Sequence, residues 1–492
     1  MFLGIDIGTS GVKAVVIDTH GTVVGQGTAA LTVQRPHPLW SEQDPDSWWA
    51  ATTAAVQAID ADVRRAVRGI GLAGQMHGAT LLGADDTPLR PAILWNDGRS
   101  HAECAELEAA TPLFRTVGGN IVMPGFTAPK LAWVRKHEPE VFAATKLVLL
   151  PKDYVRLLMT GNKASDMSDS AGTLWLDVAG RKWSDELLAA CGLDVSQMPA
   201  LVEGPQATGR LSADVAELWG MPQVPVAGGG GDNAAGAAGV GVVKDGDALL
   251  SLGTSGVIFV ANDAFRPNPG RAVHAFCHCL PDMWHQMSVH LSAASCIDWV
   301  ARLTGAAGAA DLFARAEKAG PASGPELFLP YLSGERTPHN DAEVRGAFLR
   351  LDNDTGPERL AQAVLEGVAF ALADGLDALR GAGTEVAQLS VIGGGARSRY
   401  WGATLAAALN TPLVYLQGGE VGPALGAARL AQLAVDGGSP AEVCVAPPVA
   451  HVIEPDAALV DRLAPKLAAF RDAYPHITPQ NITSQNTTPR SA

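Results

Sequence analysis

Gly8-Thr9-Ser10-Gly11-Val12 and, about half the chain further on, Gly253-Thr254-Ser255-Gly256-Val257 carry one pattern twice. Glycine opens φ > 0 to a tight turn and lets backbone N–H groups come close to an anion; the Thr and Ser hydroxyls add donors. Each copy lies between apolar, β-branched runs: Phe2 to Ile7 and Val12 to Asp18 in the first, Ala248 to Leu252 and Gly256 to Val260 in the second. Each therefore reads as strand, glycine turn, strand. The spaced Gly-Lys-Ser/Thr and following helix of a Walker A loop are missing. One copy alone reads equally well as an ordinary hairpin turn. Two copies, with Asp6 just upstream of the first, point to phosphate handling by Gly8, Thr9, Ser10, Gly11, Gly253 and Thr254. Lys13 can reach the same phosphate or, as a strand residue, be solvated.

Further polar groups stand where apolar strands end. Val224 to Ala227 runs into Gly228-Gly229-Gly230-Gly231-Asp232-Asn233, then small residues that let a helix start. Four glycines permit very close backbone approach, and Asp232 suits either a base or a helix cap. Gly69 to Ala73 ends in Gly74-Gln75-Met76-His77-Gly78. Ile93-Leu94-Trp95 ends in Asn96-Asp97-Gly98-Arg99, and Leu389 to Ile392 ends in Gly393-Gly394-Gly395. Ligands of open α/β sheets gather at such ends. Asp6 is an ionisable side chain inside an apolar strand, which favours function over a turn aspartate. His274-x-x-Cys277-His278-Cys279 looks like a metal cluster, but adjacent ligands suit a tetrahedral zinc poorly, and a structural reading is favoured.

These elements need a large scaffold. The 492 residues allow two or three domains with full cores. A repeat at half the chain length suggests two similar domains, with the boundary at about 245. Three strands in succession, Phe2 to about Thr28, form a meander; a helix capped by Asp46 or Ser47 follows, and the second half repeats the programme. Apolar content of 47% with 18% charged residues fits a globular chain. The net charge of −15 argues against nucleic acid as a partner, while local dipoles and a metal still allow an anionic nucleotide. No apolar run is long enough to span a membrane, and no signal peptide is read. Six cysteines are no disulfide framework, so reduced cytoplasmic thiols are expected. The polar stretch from 476 reads as a disordered tail.

Gly125-x-Thr127-x-x-Lys130-Leu131-x-Trp133-Val134 resembles a signature of the FGGY carbohydrate kinases, within the actin-like fold group. Asp6-x-Gly8-Thr9, Gly253-Thr254, Gly393-Gly394-Gly395 and Gly422-Pro423-Ala424-x-Gly426-Ala427-Ala428 resemble that family's nucleotide-handling elements, and the resemblance covers Phe2 to about residue 435. Gln75 to Gly78, Ile93 to Arg99, Pro151-Lys152-Asp153-Tyr154 and Leu332-Ser333-Gly334-Glu335-Arg336-Thr337-Pro338 make it strongest to members acting on D-xylulose.

The resemblance implies an α/β fold of two actin-like (ribonuclease H-like) ATPase domains around a central cleft. Residues 1–245 would hold the sugar and the base, 246–475 the ATP, and 476–492 the disordered tail. The cofactors implied are ATP and Mg2+, in the cytoplasm, with a homodimer as a family expectation. Asp232 is implied as the general base and Asp6 as the carboxylate holding magnesium through water. Met76 and His77 are implied as sugar contacts, with Trp95, Asn96, Asp97 and Asn233 completing the site. Trp95 suits the core equally well, and Asp153 is a weaker candidate. Thr9, Ser10, Gly11, Thr254, Gly394 and Gly395, with Gly8, Lys13, Gly253 and Arg399, are assigned to phosphate and adenosine. Kinases for ribulose, gluconate or glycerol, and a non-kinase actin-like ATPase, are the competing readings.

Overall fold

The computed structural model describes residues 1–417 and 422–478. One sheet design occurs twice in it. In the first sheet β1 (Phe2–Ile7), β2 (Gly11–Ile17) and β3 (Val23–Ala30) form an antiparallel meander, and β4 (Gly69–Gly74) lies parallel to β1 on its other side. With β5 (Ala207–Arg210), β6 (Pro225–Ala227) and β7 (Gly230–Gly231) the order is β5-β6-β4-β1-β2-β3, β7 continuing beside β4. The second sheet holds β8 (Ala248–Leu252), β9 (Gly256–Asn262), β10 (His274–Cys277), β11 (Trp284–His290), β12 (Leu389–Ile392), β13 (Leu413–Leu416) and β14 (Val449–Ile453). Its order is β10-β11-β9-β8-β12-β13-β14. In both sheets the first strand of a hairpin gains parallel neighbours on its free side, and an antiparallel strand closes that edge. The repeated Gly-Thr-Ser-Gly-Val is the central hairpin of each.

The two turns differ in register. Ile7 pairs with Val12, leaving residues 8–11 as the first turn; Leu252 pairs with Gly256, leaving only 253–255 as the second. None of Gly8, Gly11, Gly253 and Gly256 has positive φ, contrary to the expectation from their type. Gly11 is required by space instead: a Cβ there would lie 2.7 Å from the Ala29 carbonyl oxygen.

Helix α1 (Pro45–Gln57) is capped by Asp44, not by Asp46 or Ser47; the Asp44 side chain accepts from the Asp46 N–H. Helices α2 (Thr127–His137), α3 (Pro151–Thr160) and α4 (Met167–Ala171) belong to the long excursion between β4 and β5. Its Phe126 and Trp175 share a core with Phe259, Phe276 and Met287 of the second sheet. Helix α5 (Asp232–Gly239) follows β7, α6 (Pro357–Arg380) backs the second sheet, and α7 (Arg399–Leu409) follows β12. The last two helices are α8 (Gly422–Asp436) and α9 (Ala457–Ile477). The α9 helix runs past residue 476, where a tail was expected; the rest of that expected tail, 479–492, lies outside the described residues.

Chain order would put α8 on the second sheet. It packs instead against β1, β4 and α5 of the first half, through backbone. A Cβ at Gly4 would lie 1.9 Å from the Ala424 oxygen, one at Gly71 1.9 Å from the Ala427 oxygen, and one at Gly426 1.7 Å from the Ala235 oxygen. The buried small residues Ala424, Gly426, Ala427 and Ala428, expected among nucleotide-handling elements, serve this packing. Backbone cannot give way as a side-chain tip can, so overpacking here should reach or exceed the usual range of about 1–3 kcal/mol. Gly71→Ala or Gly426→Ala is expected to cost about 3 kcal/mol or more in denaturant unfolding, while Gly270→Ala, whose nearest neighbour would be 4.0 Å away, should stay within about 0.5 kcal/mol.

Candidate active site

The α8 contact fixes where α5 begins, and α5 begins with Asp232. Gly231 is the N-cap, so Asp232 stands in the first turn and not at the cap position. Its Oδ1 accepts from the Asn233 N–H at 2.7 Å and from Asn233 Nδ2 at 2.8 Å. Burial pushes its carboxyl up to about 6, against those two hydrogen bonds. Asp6, near the end of β1, faces Lys13 across the hairpin. Its carboxyl is pushed up to about 7, first by burial, then by the charge of Asp232, with Lys13 pulling it down. Asp6 Oδ1 is buried and accepts no hydrogen bond. An unpartnered carboxylate oxygen with a second carboxylate close by fits a hard cation such as Mg2+, which takes one or two carboxylates and keeps its other waters. Among the described residues no group of three or more His, Cys, Asp or Glu side chains is placed to cage a metal.

Beside Asp232 lies a cavity of about 220 Å³. The first half contributes Met76, His77, Trp95 and Phe126 to its wall, and the second half Val257, His274, Phe276 and Arg336. His77 has φ 69°, strained for a residue with a Cβ. Its carbonyl is held by Lys130 Nζ at 2.8 Å and Thr127 Oγ1 at 3.2 Å, both from α2. The family-signature Thr and Lys thus secure the backbone beneath the histidine. Lys130 also donates to the Gly125 oxygen at 2.7 Å, and burial holds its ammonium well below the usual range. His77 Nδ1 lies 2.7 Å from the Gly172 oxygen. A carbonyl only accepts, so Nδ1 carries the proton and Nε2 presents a lone pair. Burial, then Lys130 and Arg336, lowers the ring to about 3, so it is neutral at any working pH.

A parallel chain orients the opposite wall. His274 Nδ1 donates to Asn120 Oδ1 at 3.3 Å, which leaves Nε2 to accept from Arg336 Nη1 at 3.5 Å. The Arg336 guanidinium makes no salt bridge among the described residues, though the charge of the neighbouring Glu335 acts on it, and Arg336 lines the cavity. Trp95 is 44% exposed, which excludes the core reading. Its Nε1 donates to Thr9 Oγ1 at 2.9 Å; Thr9 Oγ1 donates to Gln75 Oε1 at 2.9 Å; Gln75 Nε2 donates to Gln43 Oε1 at 2.9 Å. The first glycine turn is thereby tied to the sheet end and to the cavity rim. The Thr9 hydroxyl is spent in this chain, so only its backbone N–H remains for an anion. In the second turn the carbonyls are used: Gly253 O accepts from Ala294 N and Thr254 O from Ala293 N, both at 3.0 Å. Gly393, with φ 94°, crosses the end of β8, where a Cβ would meet the Leu252 oxygen at 2.7 Å. A Cβ at Gly394 would touch nothing within 4 Å, so that backbone is open to a ligand.

The N-terminal domain of the FGGY family of carbohydrate kinases matches residues 1–239, and its C-terminal domain matches 248–435. The chain belongs to the FGGY family of carbohydrate kinases. It is 55% identical to the xylulose kinase of Escherichia coli K12 over 97% of this chain and 99% of that protein. A crystal structure from Brucella ovis, described as a xyloylose kinase, superposes with a TM-score of 0.94 at 53% identity, covering 96% of this chain and 98% of its own. The xylulose kinase of Rhodospirillum rubrum superposes with a TM-score of 0.89 at 29% identity, covering 97% and 99%. The two repeated sheets are the FGGY, actin-like ATPase arrangement.

Five of the seven expected sugar-side residues meet around the cavity: Met76, His77, Trp95, Asp232 and Asn233 line it. Asn96 and Asp97 do not. Asp97 is buried beneath the rim, its Oδ2 taking Arg99 Nη2 at 2.7 Å and the Ser41 N–H at 2.6 Å and its Oδ1 the Arg99 N–H at 2.9 Å, so both oxygens are committed to structure. Asp153 is equally remote, in a buried ionic cluster with Lys152 at 2.6 Å. Arg399 opens α7 on the surface. Sequence reasoning missed Arg336 and His274. Arg336 stood inside a motif quoted for resemblance alone. His274 belongs to the metal-like cluster of the sequence, whose Cys277, His278 and Cys279 are buried.

A carboxyl whose folded value lies above its unfolded value stabilises the fold below the unfolded value and loses that contribution as pH rises through the folded value. For Asp232 that loss spans pH 4 to about 6. Asp232→Asn is therefore expected to stabilise the ligand-free protein at pH 8 by on the order of 1 kcal/mol, and to have little effect at pH 4, in thermal unfolding at both values.

Proposed function

We propose that this chain transfers the γ-phosphoryl group of ATP to a terminal hydroxyl of D-xylulose, giving ADP and D-xylulose 5-phosphate. The observation that carries the reading is Asp232, a carboxylate of raised proton affinity at a cavity walled by both halves. The xylulose kinases similar over nearly the whole chain support the choice of sugar. In this reading residues 1–245 form the sugar domain and 246–475 the ATP domain, and the enzyme works in the cytoplasm.

Asp232 accepts the proton of the attacking hydroxyl while its other contacts, from Asn233, hold the carboxylate in direction. His77 Nε2 accepts from a sugar hydroxyl, and Arg336 donates to sugar oxygens on the opposite wall. The exposed face of Trp95 covers the C–H face of the ketose. The N–H groups of Thr9, Ser10, Thr254 and Ser255, with Lys13 and the open backbone at Gly394 beside Gly395, receive the phosphates and the nucleoside; those of Gly8 and Gly253 are spent within the turns, on the Gly11 and Ser255 oxygens. Asp6 would hold Mg2+ through water; bound there, the ion would neutralise phosphate charge. The transition state of phosphoryl transfer is loose, so positioning and electrostatics do most of the work, and closing the two halves on the sugar keeps water from taking its place.

ADP release from MgATP is measured against D-xylulose, L-ribulose, D-gluconate, glycerol and no sugar. Turnover dependent on D-xylulose supports the reading; turnover with another polyol alone moves the sugar assignment, and sugar-independent release contradicts a kinase. Asp232→Ala should lower kcat by about 10²–10⁴-fold with ATP still bound. Arg336→Met should raise KM for the sugar by about tenfold with KM for ATP little changed, consistent with the loss of one or two hydrogen bonds from a charged donor.

A further inference from the structure

The loop Gly228–Gly231 that delivers Asp232 has no side chains of its own, so its conformation is set from outside. The Gly228 N–H donates to the Gln206 oxygen at 2.8 Å, and that of Gly229 to the Gly204 oxygen at 2.9 Å. Gly230 and Gly231 pair alongside Ala73 and Gly74. The last N–H before Asp232, that of Gly231, donates to a side chain: Ser168 Oγ of α4, at 3.0 Å. Ser168 Oγ in turn donates to Asp166 Oδ2 at 2.5 Å, and Asp166 Oδ1 lies 2.8 Å from Lys152 Nζ.

Behind this chain is a cluster of charges removed from solvent. Lys152 Nζ also meets Asp153 at 2.6 Å and Asp169 at 3.1 Å, and Arg156 Nε lies 3.7 Å from Asp153. The Arg156 guanidinium turns away toward the glycine loop, donating to the Ala227 oxygen at 2.7 Å and the Gly228 oxygen at 2.5 Å. All five side chains are fully buried. Three carboxylates against two cations would leave one excess negative charge. Burial raises the Asp169 carboxyl well above the usual range, against the pull of Lys152. Burial would lower the Lys152 ammonium, but the three carboxylates outweigh it and keep the group charged. Buried ion clusters add little stability over apolar packing of the same volume, and their best-attested use is to fix geometry.

We propose that Lys152, Asp166 and Ser168 are a positioning relay that fixes the backbone at Gly231, and through it the direction of the Asp232 carboxylate. Arg156 clamps the upstream end of the same loop. The inference rests on the reading of Asp232 as the base. None of the relay residues touches the cavity, so substrate affinity should not sense the relay while the proton-accepting geometry should.

Ser168→Ala tests it. The substitution removes one oxygen, requires no rearrangement of α4, and leaves the Gly231 N–H without its partner. We measure kcat, KM for D-xylulose, KM for MgATP and the melting temperature, with Asp232→Ala assayed alongside. The relay predicts kcat lower by about 10- to 100-fold, the cost of a small misplacement of a reacting group, with both KM values within about threefold. Wild-type kcat, or a loss confined to melting temperature or KM, overturns it. If Asp232→Ala itself turns over normally, the base assignment fails and the relay with it; if Asp232→Ala is inactive and Ser168→Ala is normal, only the relay fails.

Discussion

The backbone of α8 lies against β1, β4 and α5 at distances that admit no Cβ at Gly4, Gly71 or Gly426. The geometry of the site depends on this contact. It places the start of α5 beside the end of β1, and with them Asp232 beside Asp6. It also fastens a helix from late in the chain onto the first sheet, so that the two halves are interlocked rather than merely linked in sequence. A glycine-lined contact of this kind trades side-chain packing for closeness, and closeness is what lets two carboxylates share one pocket.

The second theme is how charge is handled in a chain of net −15. Bulk charge would repel a nucleotide and its sugar phosphate product, and the structure answers locally. Arg336 lines the cavity with no salt bridge among the described residues, Lys13 stands across the hairpin from Asp6, and backbone N–H groups cluster at the two turns. Where carboxylates are buried away from the cavity they are compensated: Asp97 by Arg99, and Asp153, Asp166 and Asp169 by Lys152 and Arg156. Asp6 and Asp232 have no cation in direct contact, and both are pushed toward protonation. In the proposed reading, that difference in compensation separates Asp6 and Asp232 from the acids that hold the fold.

Much of the architecture was legible because it rests on local pattern. The repeated Gly-Thr-Ser-Gly-Val marked the central hairpin of each sheet, and strand ends marked His77, Trp95 and Asp232. Other features depend on what packs against a residue, which one sequence does not display. Asp97 follows Trp95 and Asn96 in a promising stretch, yet it faces Arg99 and the Ser41 backbone. Thr9 looked like a phosphate donor, but its hydroxyl is engaged by Gln75 and Trp95, far away in sequence. The turn glycines were expected to serve positive φ, which none of them has, and Gly11 is required by its approach to the Ala29 carbonyl. His274 and Arg336 reach the cavity only because β10 and the segment after residue 330 fold over the first half; neither is preceded by a glycine-rich strand end.

The pH dependence of kcat/KM for D-xylulose at saturating MgATP, from pH 5 to 9, tests the central claim that an ionised Asp232 in a poorly solvated pocket accepts the proton. Asp232 must lose its own proton first, and its carboxyl is raised to about 6. The account predicts that kcat/KM is level from about pH 7 to pH 8, is half its plateau near pH 6, and falls toward tenfold per pH unit below that. A rate that stays level down to pH 5 would contradict it, because the group accepting the proton would then be an ordinary solvated carboxylate or none at all.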